Sequence, residues 1–179
     1  MRKMRNAILR AIGVSIVVAA LLGATAGPVF ANKLGIGDSV MLGAADQLRA
    51  RGIKVNATVS RQFSSLPGLI RSLRRHGDLP RKVIVHLGNN GYIDLDDCRA
   101  AVRAARHRHV YLVTLKVPRG WRRTNNRRLH RCAKRSSRAS IIDWFGHSVN
   151  HPGWFADDHY HLTALGARRY ASFVAHQSN

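Results

Sequence analysis

KVIVHLGNNG, the stretch at residues 82–91, joins a largely apolar run rich in β-branched residues to a Gly-Asn-Asn-Gly turn. Such a run is typical of a strand that is buried on both faces of a parallel sheet. Similar short runs lie before and after it, and segments with a helical spacing of apolar residues separate them. This alternation predicts one α/β domain in which helices cover both faces of a parallel sheet.

Five strands and five helices follow from these patterns. The strands are predicted at residues 33–36, 54–60, 82–87, 109–117 and 140–145, and the helices at residues 40–51, 66–76, 95–106, 124–136 and 164–175. Asp94 and Thr163 are the expected N-caps of the third and fifth helices. The expected fold is a three-layer, flavodoxin-like α/β/α sandwich with the strand order 2-1-3-4-5 and right-handed crossovers.

The first 31 residues have the composition of an export signal. Four basic residues precede an uncharged apolar run at residues 11–27, and Val29 and Ala31 fit a small-residue cleavage site. An uncleaved membrane anchor is the alternative, because this run is just long enough to cross a thin hydrocarbon layer. Both alternatives place the folded domain, residues 32–179, outside the cytoplasm.

The chain is strongly basic, with 30 Lys and Arg residues against 9 Asp and Glu residues, a formal charge of +21. Such a charge attracts anions, although Arg can also serve only to keep a surface soluble. Outside the cytoplasm the candidate partners are phosphate-bearing wall polymers and anionic lipid headgroups, and no nucleic-acid partner is expected. The densest basic stretch, residues 122–138, is either a solvated helix face or an anion-binding face.

Three turns at the carboxyl ends of predicted strands carry candidate chemistry. Ser39 lies where the first strand meets the first helix, so its hydroxyl faces the edge at which open α/β sheets bind ligands. Asp158 and His161 share one short loop near the last helix, and a carboxylate three residues away can orient an imidazole base. Asn90, after the central strand, could donate to an oxyanion, although Asn-Gly pairs are also ordinary turn residues.

Neighbouring polar residues are interpreted as structural. Asp157 and His159 are expected to be exposed loop residues, and His151 is expected to lie in a turn.

These segments resemble the SGNH hydrolase family, also called the GDSL-type esterases. Gly37-Asp38-Ser39 is similar to its nucleophile block, Gly88-Asn89-Asn90 to its G-x-N block, and residues 158–161 to its D-x-x-H block. The order and spacing match over residues 33–175. Further stretches are most similar to the extracytoplasmic SGNH domain of peptidoglycan O-acetyltransferases: residues 60–62, 117–121, 125–126 and 142–144.

The resemblance implies a role for each motif residue. Ser39 would be the nucleophile, His161 the general base and acid, and Asp158 the group that orients His161. The Ser39 amide and Asn90 would stabilise the oxyanion. Most esterases of the family add an N–H from a glycine after the second strand, but residues 58–66 contain no glycine. The backbone around Arg61 or Gln62 would replace it, which leaves the balance between hydrolysis and transfer open.

The expected function is therefore serine-dependent hydrolysis or transfer of acyl groups on O-acetylated envelope carbohydrate such as peptidoglycan. We expect a monomer that needs no cofactor and no metal ion. The sequence has no second apolar span, so either a separate membrane protein supplies the acyl group or the enzyme acts on ready-made esters. A non-catalytic, cationic wall-binding module is the alternative.

Two cysteines, Cys98 and Cys132, fall on the predicted third and fourth helices. The strand order 2-1-3-4-5 places these helices side by side on one face of the sheet. Because an exported protein meets an oxidising compartment, we expect a disulfide between them. Two separate buried thiols are the alternative.

Overall fold

The structure, a computed structural model, describes residues 32–179, so the predicted export segment lies outside the described residues. Five parallel strands form one sheet in the order β2-β1-β3-β4-β5. The strands are β1 (Lys33–Gly37), β2 (Ile53–Ala57), β3 (Lys82–His86), β4 (His109–Val113) and β5 (Ala139–Ile142). The predicted fold class and strand order are confirmed.

Within residues 32–179, seven helices cover the two faces of this sheet. They are α1 (Ser39–Leu42), α2 (Ala45–Arg49), α3 (Leu66–Arg75), α4 (Leu95–Ala104), α5 (Arg122–Ala133), α6 (Trp144–Ser148) and α7 (Ala164–Gln177). One hydrophobic core joins the sheet to α3, α4 and α5, and a second joins it to the remaining helices. None of the helices within residues 32–179 combines the length and apolar character needed to cross a bilayer.

The central strand β3 is buried on both sides, as its sequence predicts. Val83 and Val85 belong to the core under α3, α4 and α5, whereas Ile84 packs on the opposite side with α7. Each of these side chains is at most 1% exposed.

Several element boundaries differ from the prediction: β2 ends at Ala57 and not at residue 60, and α5 covers Arg122–Ala133 and not residues 124–136. The predicted first helix is broken after Leu42, but its apolar spacing continues into α2, so periodicity alone could not detect the break. Strand β4 ends at Val113, because the Asn126 side chain bonds both the N–H and the carbonyl of Leu115. Strand β5 ends at Ile142, since the Asp143 carboxylate accepts from the Gly146 N–H and caps α6.

A disulfide between Cys98 and Cys132 joins α4 to α5, as predicted. The two Cα atoms are 6.2 Å apart, and both side chains are buried. The cysteines are 34 positions apart in the sequence. Closing a loop of this length contributes roughly 3 to 4 kcal/mol in the chain-entropy description.

His86, at the end of β3, is a buried titratable group away from solvent. Its Nδ1 lies 2.9 Å from the Tyr170 hydroxyl, and burial lowers the pKa of His86 to about 3. Between about pH 3 and 6.5 the unfolded chain binds a proton here that the folded chain excludes. As the pH drops from 7 to 4.5, protonation of His86 in the unfolded chain should therefore lower the free energy of unfolding by about 2 to 3 kcal/mol.

Urea unfolding of the wild type and of His86→Gln at both pH values measures this contribution. Glutamine retains an acceptor for Tyr170 but does not titrate. The variant should therefore lose less stability on acidification than the wild type. Equal pH dependence in the two proteins would contradict the assignment.

Candidate active site

The turn between β1 and α1 presents Ser39 at the carboxyl edge of the sheet. Asp38 is the N-cap of α1, and its carboxylate accepts a hydrogen bond from the Val40 N–H at 3.1 Å. A Cβ on Gly37 would lie 2.3 Å from the Cβ of Met41. Glycine is needed there because Met41 packs against the end of β1.

Ser39, His161 and Asp158 form a continuous chain of hydrogen bonds. The Ser39 Oγ lies 2.9 Å from the His161 Nε2, and the His161 Nδ1 lies 2.6 Å from the Asp158 Oδ2. The other carboxylate oxygen of Asp158 accepts from the backbone N–H groups of Tyr160 and His161. The structure thus brings together the three residues that the sequence suggested.

Hydrogen bonding favours the ionised form of Asp158 and sets which nitrogen of the His161 ring faces it. Partial burial alone would raise the pKa of Asp158, but hydrogen bonds from the His161 ring and from two backbone N–H groups outweigh it and lower the pKa. An ionised carboxylate can only accept, so the Nδ1 of His161 carries the proton. In the neutral imidazole this leaves Nε2, which faces the Ser39 hydroxyl, as the acceptor that a general base needs.

The loop that carries Asp158 and His161 is closed at its base by backbone hydrogen bonds. Phe155 pairs with Leu162 in an isolated antiparallel bridge, and the Thr163 N–H donates to the Trp154 carbonyl at 3.0 Å. A Cβ on Gly166, in the first turn of α7, would lie 1.8 Å from the same Trp154 oxygen. The loop is therefore held tightly against α7.

Asn89 connects the central turn to the nucleophile turn. Its Nδ2 donates to both carboxylate oxygens of Asp38, at 3.1 and 3.0 Å, and both side chains are buried. Burial raises the pKa of Asp38, and the hydrogen bonds from Asn89 and Val40 partly oppose this rise. This pair fixes the position of Ser39 relative to residues 88–91.

Asn90 lies in the same central turn with an unpaired donor. Its Nδ2 is enclosed and has no hydrogen-bond partner among residues 32–179. Gly88 has a φ of +116°, and the buried Asn125 side chain donates to the carbonyls of Gly88 and Gly91. The backbone of this turn is thus fixed, and the Asn90 amide is left to bind something else.

Arg61 and Gln62 follow β2 at the same edge of the sheet. The Arg61 N–H donates to the Thr58 carbonyl, and its guanidinium binds the Gly37 and Asn56 carbonyls. The Gln62 side chain donates to the Asn90 carbonyl at 3.2 Å, while its backbone N–H donates no hydrogen bond within the described residues. Of the two, Gln62 has the backbone N–H that is available to a ligand.

No protein-family model matches the chain. Comparison with individual proteins finds relatives that are named as peptidoglycan O-acetyltransferases. YrhL of Bacillus subtilis is 31% identical over 143 residues, which cover 79% of this chain and 23% of YrhL. The peptidoglycan O-acetyltransferase OatA of Listeria monocytogenes is 28% identical over 158 residues, 87% of this chain and 25% of OatA. The C-terminal catalytic domain of Streptococcus pneumoniae OatA has a TM-score of 0.72 at 24% identity, covering 80% of this chain and 90% of that domain. The described domain thus has the fold of the SGNH hydrolases, and its sequence is similar to those of peptidoglycan O-acetyltransferases.

The chain spans about a quarter of the length of the curated relatives that it matches. The similarity covers most of the described domain.

Two residues that organise this site had no role assigned from the sequence. Asn125 holds the central turn, and the Lys116 Nζ donates to the His159 carbonyl in the loop before α7. A signal for Asn125 exists, because this amide shares the buried face of α5 with Leu129 and Cys132. A polar residue on an apolar helix face needs buried partners. The sequence around Lys116 has no comparable pattern that would have indicated its contact with the loop before α7.

The neighbouring polar residues have the structural positions expected of them. Asp157 and His159 are exposed in the loop, and His159 has a φ of +64°. His151 precedes a short 3₁₀ turn at Pro152–Trp154, and its ring stacks on Trp154.

Proposed function

We propose that Ser39, His161 and Asp158 are the catalytic triad of a serine-dependent acyl-ester hydrolase or O-acyltransferase. The observation that carries this proposal is the hydrogen-bond chain from the Ser39 Oγ through the His161 ring to the Asp158 carboxylate. The proposed substrate class is O-acetylated carbohydrate of the cell envelope, such as peptidoglycan. The names of the relatives, peptidoglycan O-acetyltransferases, support this class.

The proposed reaction has two acyl transfers. The Ser39 Oγ attacks the acyl carbonyl while the Nε2 of His161 takes its proton, and Asp158 stabilises the imidazolium. The bond between the carbonyl carbon and the leaving alcohol then breaks, and His161 returns the proton to that alcohol. Water or a sugar hydroxyl next attacks the acyl carbonyl, and His161 takes its proton. The bond between the acyl carbon and the Ser39 Oγ then breaks, and His161 returns the proton to Ser39. Water gives hydrolysis, and a sugar hydroxyl gives transfer.

The developing oxyanion needs donors at the same edge of the sheet. The Ser39 N–H donates no hydrogen bond within residues 32–179, and the Asn90 Nδ2 is unpaired. We assign these two groups to the oxyanion hole, with the Gln62 N–H as a third donor in place of the missing glycine.

Replacing Asn90 by alanine should lower the rate of ester turnover by roughly 10²-fold or more, as at comparable oxyanion donors. The physical reason is the loss of a preorganised donor that acts on charge present only in the transition state. Steady-state kinetics on a small acetyl ester, with thermal unfolding as the control for folding, measures the effect. Unchanged turnover in a folded variant would make Asn90 a turn residue only.

The proposed location is the extracytoplasmic face of the cell, as a secreted or envelope protein. Residues 1–31 would act as a cleaved signal peptide, or as an anchor if they are retained, and residues 32–179 would form the catalytic domain. We further propose that the domain works as a monomer. Its acyl group comes either from a separate membrane protein or from ready-made esters.

A substrate panel tests the proposed function directly. Acetate release is measured from O-acetylated peptidoglycan fragments, acetylated xylan and 4-nitrophenyl acetate, each with and without an acceptor sugar. We expect turnover of acetyl esters, and acetylated acceptor sugar wherever transfer competes with water. If no acetyl ester is turned over and no fluorophosphonate labels the protein, the proposal is wrong.

A further inference from the structure

A groove bordered by basic side chains runs beside α5, away from the Ser39 cluster. It encloses about 750 Å³ between α5 and Phe145 in the first turn of α6. Four arginines of α5 border it: Arg122, Arg123, Arg127 and Arg131. We refer to this feature as the α5 groove.

The positive charge of the α5 groove has no internal counterion. No carboxylate lines it, and none of its four arginines forms an ion pair within residues 32–179. Asp143, which precedes Phe145 by two residues, is occupied by the Thr114 hydroxyl and the Gly146 N–H. Arg128, on another side of α5, donates to the Ile93 carbonyl, so the arginines of this helix are not equivalent.

The arginines of the α5 groove are regularly spaced. Arg123, Arg127 and Arg131 follow each other at four-residue intervals, so their Cα atoms rise by about 6 Å per step along the helix. Each is exposed. A guanidinium fork matches two phosphate oxygens better than it matches a single point of charge. An extended three-carbon polyol phosphate repeats its charge over a comparable distance.

The α5 groove also offers an apolar surface between the charges. The Arg122 guanidinium lies 4.4 Å from the centroid of the Phe145 ring, which forms one wall. The carbon atoms of a polyol could pack on this ring while its phosphates meet the arginines. A surface with charge alone would lack this second contact.

A smaller hollow connects the α5 groove to the loop before α7. This hollow of about 300 Å³ shares Arg122 and Phe145 with the groove and is bordered by Lys116. The Lys116 Nζ donates to the carbonyl of His159, which lies between Asp158 and His161. Burial and the nearby Arg122 lower the pKa of Lys116, and the charge of Asp158 partly opposes this effect. The basic surface therefore extends from α5 to the edge of the Ser39 cluster.

We propose that the α5 groove binds a phosphodiester-linked polyol polymer, with Arg123, Arg127 and Arg131 on successive phosphates. This inference goes beyond the proposed acyl-ester chemistry and does not depend on it, because binding needs no turnover. A polymer bound here would hold the domain at a surface rich in such chains and bring the Ser39 cluster close to neighbouring glycans.

Binding to poly(glycerol phosphate) of defined length tests the proposal. The protein with residues 1–31 removed is compared with the triple variant Arg123→Gln, Arg127→Gln, Arg131→Gln at several salt concentrations. We expect the triple variant to bind at least about 10-fold more weakly, and its slope of log affinity against log salt to be shallower by about 2, because three phosphate contacts are lost. Thermal unfolding controls for folding.

A control variant removes three arginine charges from another part of the surface. Arg51, Arg168 and Arg169 are exposed, lack carboxylate partners within the described residues, and lie on the α2 and α7 side of the sheet. The triple change of these residues to glutamine should alter affinity by less than about 3-fold. The single change Arg127→Lys keeps the positive charge but removes the forked guanidinium, and it should weaken binding by about 3-fold. This variant tests the proposal if the triple variant does not fold.

Several outcomes would overturn the proposal. Equal losses in the two triple variants would mean that net charge alone causes binding. Equal affinity for polyglutamate would exclude phosphate recognition. Tighter binding to oligothymidylate with the same number of phosphates, or to anionic lipid vesicles, would assign the groove to another class of partner.

Discussion

Replacing Ser39 by alanine should abolish ester turnover, with a loss on the order of 10⁴-fold or more. The reason is that no acyl-enzyme can form without the hydroxyl, and the remaining oxyanion donors provide only residual catalysis. The fold should be unaffected, because the Ser39 Oγ has one hydrogen-bond partner within residues 32–179, the Nε2 of His161.

Covalent labelling by a fluorophosphonate provides a second readout for this variant. The wild type should be labelled, and Ser39→Ala should not. Ser64→Ala is the matched control, because Ser64 is exposed and its hydroxyl makes no hydrogen bond in the described chain. Labelling that persists in Ser39→Ala would transfer the nucleophile to another residue.

His161→Ala should reduce turnover nearly as much as Ser39→Ala, by on the order of 10⁴-fold. Without the imidazole, the serine proton has no acceptor and the leaving alcohol has no donor. Steady-state kinetics with a small acetyl ester measures the loss.

His159→Ala is the control for the base, because His159 lies two residues away in the same loop. Its side chain is exposed, and only its backbone carbonyl has a partner, the Lys116 Nζ. The substitution keeps that carbonyl, so we expect less than about a 3-fold effect. Equal losses in the two histidine variants would exclude His161 as the specific base.

The sheet could be predicted because its strands differ from their surroundings in local composition. The run at residues 82–87 is largely apolar, and the observed strand order is the flavodoxin-like order expected for a sheet of this kind. The break between α1 and α2 could not be predicted, because Met41, Ala44 and Leu48 keep a helical spacing across it and all are buried. Periodicity reports which face is buried but not whether the backbone is continuous.

Some residues of the candidate site could be predicted from the sequence, and others could not. Ser39 lies at the carboxyl end of β1, and Asp158 and His161 share one short loop before α7, so each could be recognised from a short local motif. The environment of Arg61 and Gln62 depends on the conformation of the loop after β2, where Ser60 has a φ of +59°. Such a conformation for serine is set by tertiary contacts and leaves no pattern in the sequence.

The basic stretch on α5 shows a related limit. Its sequence allowed either a solvated face or an anion-binding face, and composition cannot separate these alternatives. Packing shows only that these arginines differ, because Arg128 binds the Ile93 carbonyl while Arg123 and Arg127 border an open groove.

The distance in sequence between nucleophile and base has a consequence for the order of events during synthesis. Ser39 and His161 are 122 positions apart, with the first just after β1 and the second just before α7. The serine leaves the ribosome long before its base exists, and an isolated serine hydroxyl is unreactive toward esters. In a nascent chain Ser39 is therefore unreactive toward esters until the loop that carries His161 has packed beside it. The first appearance of fluorophosphonate-reactive Ser39 would mark the completion of folding rather than its start.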